Sequence, residues 1–466
     1  MRSITARITK YDKNYQYFLL IGITLLAGAL RFYKLGEWSF WVDEVITINN
    51  ASTKFGNGFL PNQLVPLSLM LIAPTLNILG VSEWSARLIP TLIGTISIPI
   101  LYFPIRRIFN PTTALATVLL LAVSPWHIFW SQNARYVSTL ILFFTLALLF
   151  FYIGLEEDRP WLLGLSLVFI GLAAWERLFA LSFVAIILFY IIAIKLLPFE
   201  QPPGLRLRYF GWIIPVGIVI TLLVAATLLM NPGLWAERFF WAKNSDPMAL
   251  GKEFTKLITL PIICIGGLAT LYLLSQKHRA SLLLGAAAII PIFVIMVFSL
   301  FQLVDIRYAV VSLTSWFILA GLAISELSRE RSKAVAILTV GVLLILMLAP
   351  LEKDRAYYQH EHGNRADWRS ALAYIVERRQ PGELVVTMKP PLYTYYMHED
   401  AVDRETISSE FIEKQQTKTW FIVYDQPLLR PDLHEWIFAN AQLVHQTYGL
   451  KIYLYPPVNT YVSEKK

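Results

Sequence analysis

The chain has 466 residues, of which 56% are hydrophobic and only 15% charged, with 14 Trp, 22 Tyr and 28 Phe, and such a composition excludes an ordinary soluble globular protein. The formal net charge of +8 is uneven, because residues 351–466 carry −2 and the preceding 350 carry +10; a basic excess confined to an apolar region marks Lys and Arg retained in cytoplasmic loops. No basic run is interleaved with aromatics, so nucleic acid is excluded as a partner, and the single cysteine, Cys264, in an apolar run, excludes a disulfide framework and a Cys-based metal site.

A spanning helix needs about 20 mostly apolar residues. Eleven runs without Asp, Glu, Lys, Arg or His meet or approach this, at approximately 15–31, 88–105, 111–126, 137–155, 161–174, 178–194, 209–230, 257–275, 281–300, 309–325 and 334–350. The shorter ones depend on tilt or interfacial flanks. Segment 66–80 is also apolar but short, with two prolines and a terminal Gly, and reads as an interfacial helix.

Basic residues cluster at Arg2/Arg7/Lys10/Lys13, Arg106-Arg107, Lys195/Arg206/Arg208, Lys277-His278-Arg279 and Arg329/Arg331/Lys333, which are alternate connections in this series. The N-terminus is therefore expected in the cytoplasm and, after an odd number of spans, the C-terminus outside. The Glu156-Glu157-Asp158-Arg159 turn falls on the basic face and fits the rule least well. The first apolar run is followed by Arg31, Lys34 and a Trp-rich loop instead of a small-residue cleavage site, so no cleavable signal peptide is expected.

The expected domains are a transmembrane catalytic part, 1–350, and a soluble extracytoplasmic α/β domain, 351–466. Within the latter, a helix is predicted over 367–379 with a Gln380-Pro381-Gly382 stop, strands over 383–388 and 419–425, a helix near 431–440 and a closing strand pair around Gly449-Leu450. His360-Glu361-His362 reads as a hydrated linker, not as a metal site.

Ion-coupled transporters usually keep ionisable residues near the bilayer midplane, and the interiors of these runs hold none. The charges sit at span ends, and four clusters of them fall on the expected outer face. In GEWSFWVDEVITINN, Asp43 and Glu44 follow Trp38, Phe40 and Trp41; they are either solvated acids behind an aromatic belt or the source of a base for an acceptor hydroxyl. Arg135 and Tyr136 precede the fourth span, as a snorkelling arginine or as a guanidinium clamp for a lipid-linked phosphate. Glu176-Arg177 stands between the fifth and sixth runs with almost no loop, and Asp305-Ile306-Arg307-Tyr308 opens the tenth; each could be a local ion pair or part of a common site.

The order of these motifs carries a resemblance. F-W-x-D-E in the first loop is followed by G-x-S-E-x-x-x-R-L (Gly80 to Leu88), S-P-x-H-x-x-x-S-Q-x-A-R-Y (Ser124 to Tyr136) and a late R-Y, while D-W-R-x-A-x-x-Y-I (Asp367 to Ile375) opens the C-terminal domain. This arrangement resembles the protein O-mannosyltransferase and aminoarabinose-transferase superfamily, glycosyltransferases of the GT-C fold that use polyprenyl-phosphate sugars. The resemblance implies a polytopic α-helical membrane protein with a C-terminal extracytoplasmic α/β domain, in the plasma membrane of a bacterium or archaeon. It assigns Asp43 or Glu44 as general base or acceptor-positioning residue, and Arg135, Arg177, Arg307 and Tyr308 to the substrate; Glu176 joins the substrate-binding candidates through the charged pair it forms with Arg177 at the outer end of the fifth run. One departure is the stretch Gln63-Leu64-Val65-Pro66-Leu67-Ser68, where many relatives carry a His-Pro-Pro-Leu-Tyr-like segment.

The expected activity is transfer of a sugar from a polyprenyl-phosphate carrier to a lipid, glycan or protein acceptor on the external face, with inversion. A divalent cation is compatible with that chemistry, and no ligand set in the sequence compels one. The competing classes are a lipid or solute transporter and a noncatalytic membrane scaffold. The scaffold does not require the outer-face charges to converge, whereas the transferase requires Asp43 and Arg135 to share a cleft.

Overall fold

The computed structural model describes residues 2–56, 66–205, 245–300, 304–329, 332–403, 407–414, 417–424 and 431–456. Among these, seven helices are long and apolar enough to cross a membrane, or up to nine if each of two bent pairs is one span. The chain is a polytopic membrane protein. The seven are Asn14–Phe32 of α1 (Arg2–Phe32), α4 (Glu83–Ile108), α7 (Val137–Glu156), Leu178–Leu196 containing α9 (Ser182–Leu196), α12 (Ala280–Phe298), Ile306–Leu327 containing α13 (Leu313–Leu327), and α14 (Lys333–Gln359). The expected span 209–230 and the residues Gln63 to Val65, Arg206, Arg208 and Arg331 lie outside the described residues.

Three expected spans are altered, and proline has a part in two of them. Run 111–126 divides into α5 (Pro111–Ala122) and α6 (Pro125–Ser131), bent by 62°. Pro125 cannot donate to the preceding turn, and Ser124 caps the new helix by accepting the His127 amide at 3.4 Å. Run 257–275 begins as α11 (Leu260–Ser275) after an 89° break from an unforeseen amphipathic helix, α10 (Pro247–Ile258), which buries Leu250, Phe254 and Ile258 along one face. Thr259 stands at the break with φ 78°, and Pro261 follows. Run 161–174 is the 17-residue α8 (Pro160–Glu176), shorter than a full span.

The remaining helices of the membrane part, α2 (Val42–Gly56) and α3 (Leu67–Leu79), pack against each other, and α3 packs against α4. Segment 66–80 is thus helical, with Ser68, Leu69, Ile72, Ala73 and Leu76 buried.

On one face of the bundle, Arg107 pairs with Glu157 and Arg279 with Glu156, and Arg329 binds Glu326 at 2.7 Å. The acidic turn after α7 is therefore neutralised by arginines from the same face. The opposite face carries the first loop, α3, the break before α6 and the C-terminal domain.

In that domain, α15 (Trp368–Arg378) starts at Asp367, whose carboxylate accepts the Ser370 amide at 3.1 Å. It is followed by β1 (Leu384–Thr387), α16 (Pro390–Met397), β2 (Val402–Asp403), α17 (Ser409–Lys414), β3 (Thr419–Tyr424), α18 (Pro431–Asn440), β4 (Gln442–Thr447) and β5 (Leu450–Tyr455). The sheet order is β2-β1-β3-β5-β4. β1 runs parallel to β2 and β3, in register Val385↔Trp420, and β5 is antiparallel to β3 and β4, in register Phe421↔Tyr453 for β3. Gly449, at φ 73°, closes the last hairpin in a conformation that glycine adopts without strain. The strands alternate between two cores. Val386, Phe421, Val423 and Tyr453 face Ile407, Ile412, Leu433 and Ile437. Val385, Trp420, Ile422 and Ile452 join Trp368 and Ile375 in one apolar cluster with Phe40, Val45, Leu69 and Ile72 of the membrane part.

Candidate active site

Each motif position has a local task. Gly80 ends α3 at φ 76°, and Ser82 caps α4 in a reciprocal box with Ser85, leaving Glu83 and Arg87 one turn apart on the same face. In the second motif His127 Nδ1 lies 2.8 Å from Arg31, while Gln132 donates to the Arg31 carbonyl at 2.9 Å and the Tyr33 carbonyl at 2.8 Å. These bonds pin the segment 131–136 against the end of α1.

Asp43 lies in the first turn of α2. Its Oδ2 is 2.5 Å from Arg307 Nη1 and 3.5 Å from Arg135 Nη2. Arg135 Nη1 also donates to the Asp43 carbonyl at 3.1 Å and to Thr47 Oγ1 at 3.0 Å. Asp43 and Arg135 side chains are each 19% exposed and Arg307 is 21% exposed, so the cluster is sheltered yet open to a ligand. Asp305 caps the 3-10 turn Ile306–Ser312 by accepting the Arg307 amide and also binds Arg307 Nε at 2.9 Å. Arg177 hydrogen-bonds Tyr308, and its guanidinium lies 4.9 Å from the Tyr308 ring and 5.7 Å from that of Tyr136. Arg135 covers the same Tyr136 ring at 5.4 Å. All four external clusters expected from the sequence thus meet, through Asp43, Arg135, Arg177, Arg307 and Tyr308.

Glu44 and Glu176 stand apart from this opening. Glu44 is fully buried and accepts from Arg87 Nε and Nη2, both at 2.8 Å, and from the Ala134 amide at 2.9 Å, with Arg365 Nε at 3.6 Å. Burial alone would raise its pKa, but the Arg87 guanidinium and its hydrogen bonds outweigh that, and the carboxyl titrates below its ordinary value. Glu176, buried at the end of α8, accepts the Ser68 amide and hydroxyl, both at 2.9 Å. Its carboxylate anchors the first turn of α3.

Sequence reasoning assigned no role to Arg87, Arg365, Gln132 or Tyr357. Arg87 uses every guanidinium nitrogen, adding the carbonyls of Leu35, Trp38 and Ser39 at 3.0–3.1 Å. Arg365 donates to the Gln132 carbonyl at 2.8 Å, and Tyr357 to Gln132 Oε1 at 2.7 Å. Two of them had a signal, Arg87 as the arginine of G-x-S-E-x-x-x-R-L and Gln132 as the glutamine of S-P-x-H-x-x-x-S-Q-x-A-R-Y.

Among the described residues no three His, Cys, Asp or Glu gather as metal ligands. His362 Nε2 lies 3.7 Å from Asp367 and its ring stacks on Tyr448. The acid nearest the arginines, Asp43, is already held by two guanidiniums, so these residues offer no ready set for a divalent cation.

An apolar helical bundle with a capping α/β domain and a cationic cluster at their junction defines a polytopic membrane protein of the GT-C fold. The comparisons agree. ArnT from Cupriavidus metallidurans in the apo state matches with a TM-score of 0.61 at 15% identity, covering 95% of this chain and 98% of that one. The same protein bound to undecaprenyl phosphate gives 0.60 at 15% identity, covering 94% and 97%. The oligosaccharyltransferase AglB from Archaeoglobus fulgidus, in complex with an inhibitory peptide and a dolichol-phosphate, gives 0.55 at 12% identity, covering 89% of this chain and 70% of that one. Residues 63–202 match the family described as dolichyl-phosphate-mannose-protein mannosyltransferase. No curated protein matches the chain in sequence.

Proposed function

We propose that the chain is a membrane glycosyltransferase that moves a sugar from a polyprenyl-phosphate carrier to an acceptor on the external face. The observation that carries this reading is the Asp43 carboxylate lying against both Arg307 and Arg135, with Arg177 and Tyr308 alongside. One acid and three arginines from separate connections form a single cluster, the convergence that a scaffold does not need. Similarity to proteins whose structures hold undecaprenyl phosphate or dolichol-phosphate supports the same carrier class.

In this reading the carrier's phosphate displaces Asp43 from the guanidiniums. Arg135 and Arg307 then hold the phosphate oxygens, with Arg177 and the Tyr308 hydroxyl adjoining. The freed Asp43 carboxylate takes the proton of the acceptor hydroxyl as that oxygen bonds to the anomeric carbon. The bond from this carbon to the phosphate oxygen breaks, its electron pair leaving with the polyprenyl phosphate, whose added charge the arginines stabilise. A single displacement inverts the anomeric configuration. Asp43 is favoured over Glu44 as the base because the Glu44 oxygens are occupied by Arg87 and the Ala134 amide.

The membrane is the plasma membrane of a bacterium or archaeon, with the N-terminus in the cytoplasm and this site outside, as the alternation of basic loops indicates. The catalytic membrane part is residues 1–350 and the extracytoplasmic domain residues 351–466. The deciding experiment incubates purified protein with a panel of radiolabelled polyprenyl-phosphate sugars and envelope acceptors. Transfer from one carrier supports the reading, and no transfer from any of them counts against it.

A further inference from the structure

The first loop is held from above by the C-terminal domain. Trp38 packs its ring on Gly363, where φ is 62° and a Cβ would stand 2.3 Å from the indole, and meets Tyr357 edge-on at 4.9 Å. Arg369, in the first turn of α15, donates its amide to Ser39 Oγ at 3.1 Å and its guanidinium to the carbonyls of Gly36 and Glu37. From α16, Tyr395 packs edge-on against Phe40 at 5.4 Å. The neighbouring Tyr396 hydroxyl accepts the Phe40 amide at 2.8 Å and donates to Glu83 Oε1 at 2.9 Å. Four consecutive first-loop residues, 37–40, are therefore fixed by partners more than 300 positions away. Phe40 is three residues before Asp43.

We propose that Tyr396 is a positioning residue for the reaction: by tying the Phe40 amide to Glu83 of α4 it sets the start of α2, and with it the Asp43 carboxylate opposite Arg307. This rests on the glycosyltransferase reading above. The C-terminal domain is then a working part of the active site, not a separate binding module. The physical case is that Asp43 belongs to the first turn of α2, whose orientation follows the chain segment leading into it. The buried Phe40 side chain cannot hold that segment by packing alone, because its amide needs an acceptor in a place closed to water. Tyr396→Phe removes only the hydroxyl and leaves the ring packing intact.

The test uses full-length protein in lipid nanodiscs with three readouts. Tyr396→Phe should lower the single-turnover rate by roughly 10- to 100-fold, the loss expected of a misplaced catalytic group, while carrier affinity stays near that of the unaltered protein and the thermal midpoint falls only modestly, as the loss of one buried hydrogen bond requires. Glu83→Gln keeps an acceptor oxygen for Tyr396 and should retain most of the rate, whereas Glu83→Ala should reproduce the Tyr396→Phe defect. Amide hydrogen exchange over residues 38–48, which requires no substrate, should quicken in Tyr396→Phe. Unchanged exchange together with unchanged turnover overturns the positioning role, as does a parallel fall in carrier affinity and rate. If the unaltered protein transfers no sugar but exchange quickens as expected, the loop is held as described and it is the glycosyltransferase reading that fails.

Discussion

Asp43 and Arg307 are 264 positions apart in the chain, yet their side chains meet at 2.5 Å. The pair joins the start of α2 to the 3-10 turn that opens the span Ile306–Leu327. A carboxylate held by arginines from two connections is well stabilised as an anion and is not free to take a proton until a competing anion occupies those arginines. That competition makes proton transfer depend on carrier occupancy.

Asp43→Asn should therefore depress turnover by roughly 10²- to 10⁴-fold, the usual cost of losing a positioned base. Carrier affinity should hold steady or rise, because the arginines lose their internal competitor. Single-turnover rates and carrier binding, measured separately, check this. Full turnover in the variant removes Asp43 from the mechanism.

Arg135→Ala and Arg307→Ala should each weaken carrier binding as well as turnover. Charge-assisted hydrogen bonds contribute about 1.5–3 kcal/mol, equivalent to roughly 10- to 150-fold in affinity. Arg135→Lys should recover only part of the loss, since a point charge cannot reproduce a two-pronged contact. Titration with polyprenyl phosphate decides the matter, and normal affinity in both alanine variants would place the phosphate elsewhere.

Seven of the eleven expected spans, and the charge clusters at span ends, were legible because membrane insertion writes them locally, as long apolar runs with charges at their ends. The break inside 111–126 was concealed by the same apolar composition, although Ser124-Pro125 supplies both the cap and the missing donor. The buried network of Glu44, Arg87, Gln132 and Arg365 was not legible, because its hydrogen-bonded partners lie 43 to 233 positions apart. Nor does Glu44 differ from Asp43 in local sequence; only the fold separates an acid facing the arginine cluster from one enclosed by Arg87. Helix α16 was not anticipated, although Pro390-Pro391 start it, at positions whose backbone donors a helix does not need.

The orientation can be tested by labelling. With Cys264 first replaced, a cysteine at Glu377, on the exposed side of α15, should react with a membrane-impermeant maleimide in intact cells. One at Arg329, on the opposite face of the bundle, should react only after lysis. The reverse pattern inverts the topology.

Glu176 should behave as an anchor for α3 and not as a carrier ligand. Both of its oxygens are taken by Ser68, so Glu176→Ala and Ser68→Ala should each cost about 1 kcal/mol, comparable to losing a helix cap, and the double variant should cost little more than either alone. Thermal unfolding in detergent measures the additivity. Strictly additive losses would mean that the two residues act independently.

Glu44 gives the sharpest contrast with its neighbour. Its carboxylate joins Arg87 of α4 to the Ala134 amide, and Ala134 precedes Arg135, so one buried anion fixes the segments that carry both Asp43 and Arg135. Glu44→Gln should thus destabilise the protein, by about 3–5 kcal/mol, because Arg87 is left as an uncompensated buried charge. The sign of the pH dependence follows from the lowered pKa of Glu44. A depressed carboxyl contributes stability that is fully present above its unfolded value and is lost as pH falls through the folded one. The unaltered protein should therefore lose stability below about pH 4.5, the ordinary glutamate value. Glu44→Gln should be less stable at neutral pH and show a weaker acid dependence. Replacing the pair together, as Glu44→Gln with Arg87→Met, should recover part of the stability by removing the stranded cation. Unfolding midpoints of the three proteins between pH 3 and 7 provide the measurement, and a Glu44→Gln variant that melts with the unaltered protein at neutral pH while losing turnover would return Glu44 to the list of candidate bases.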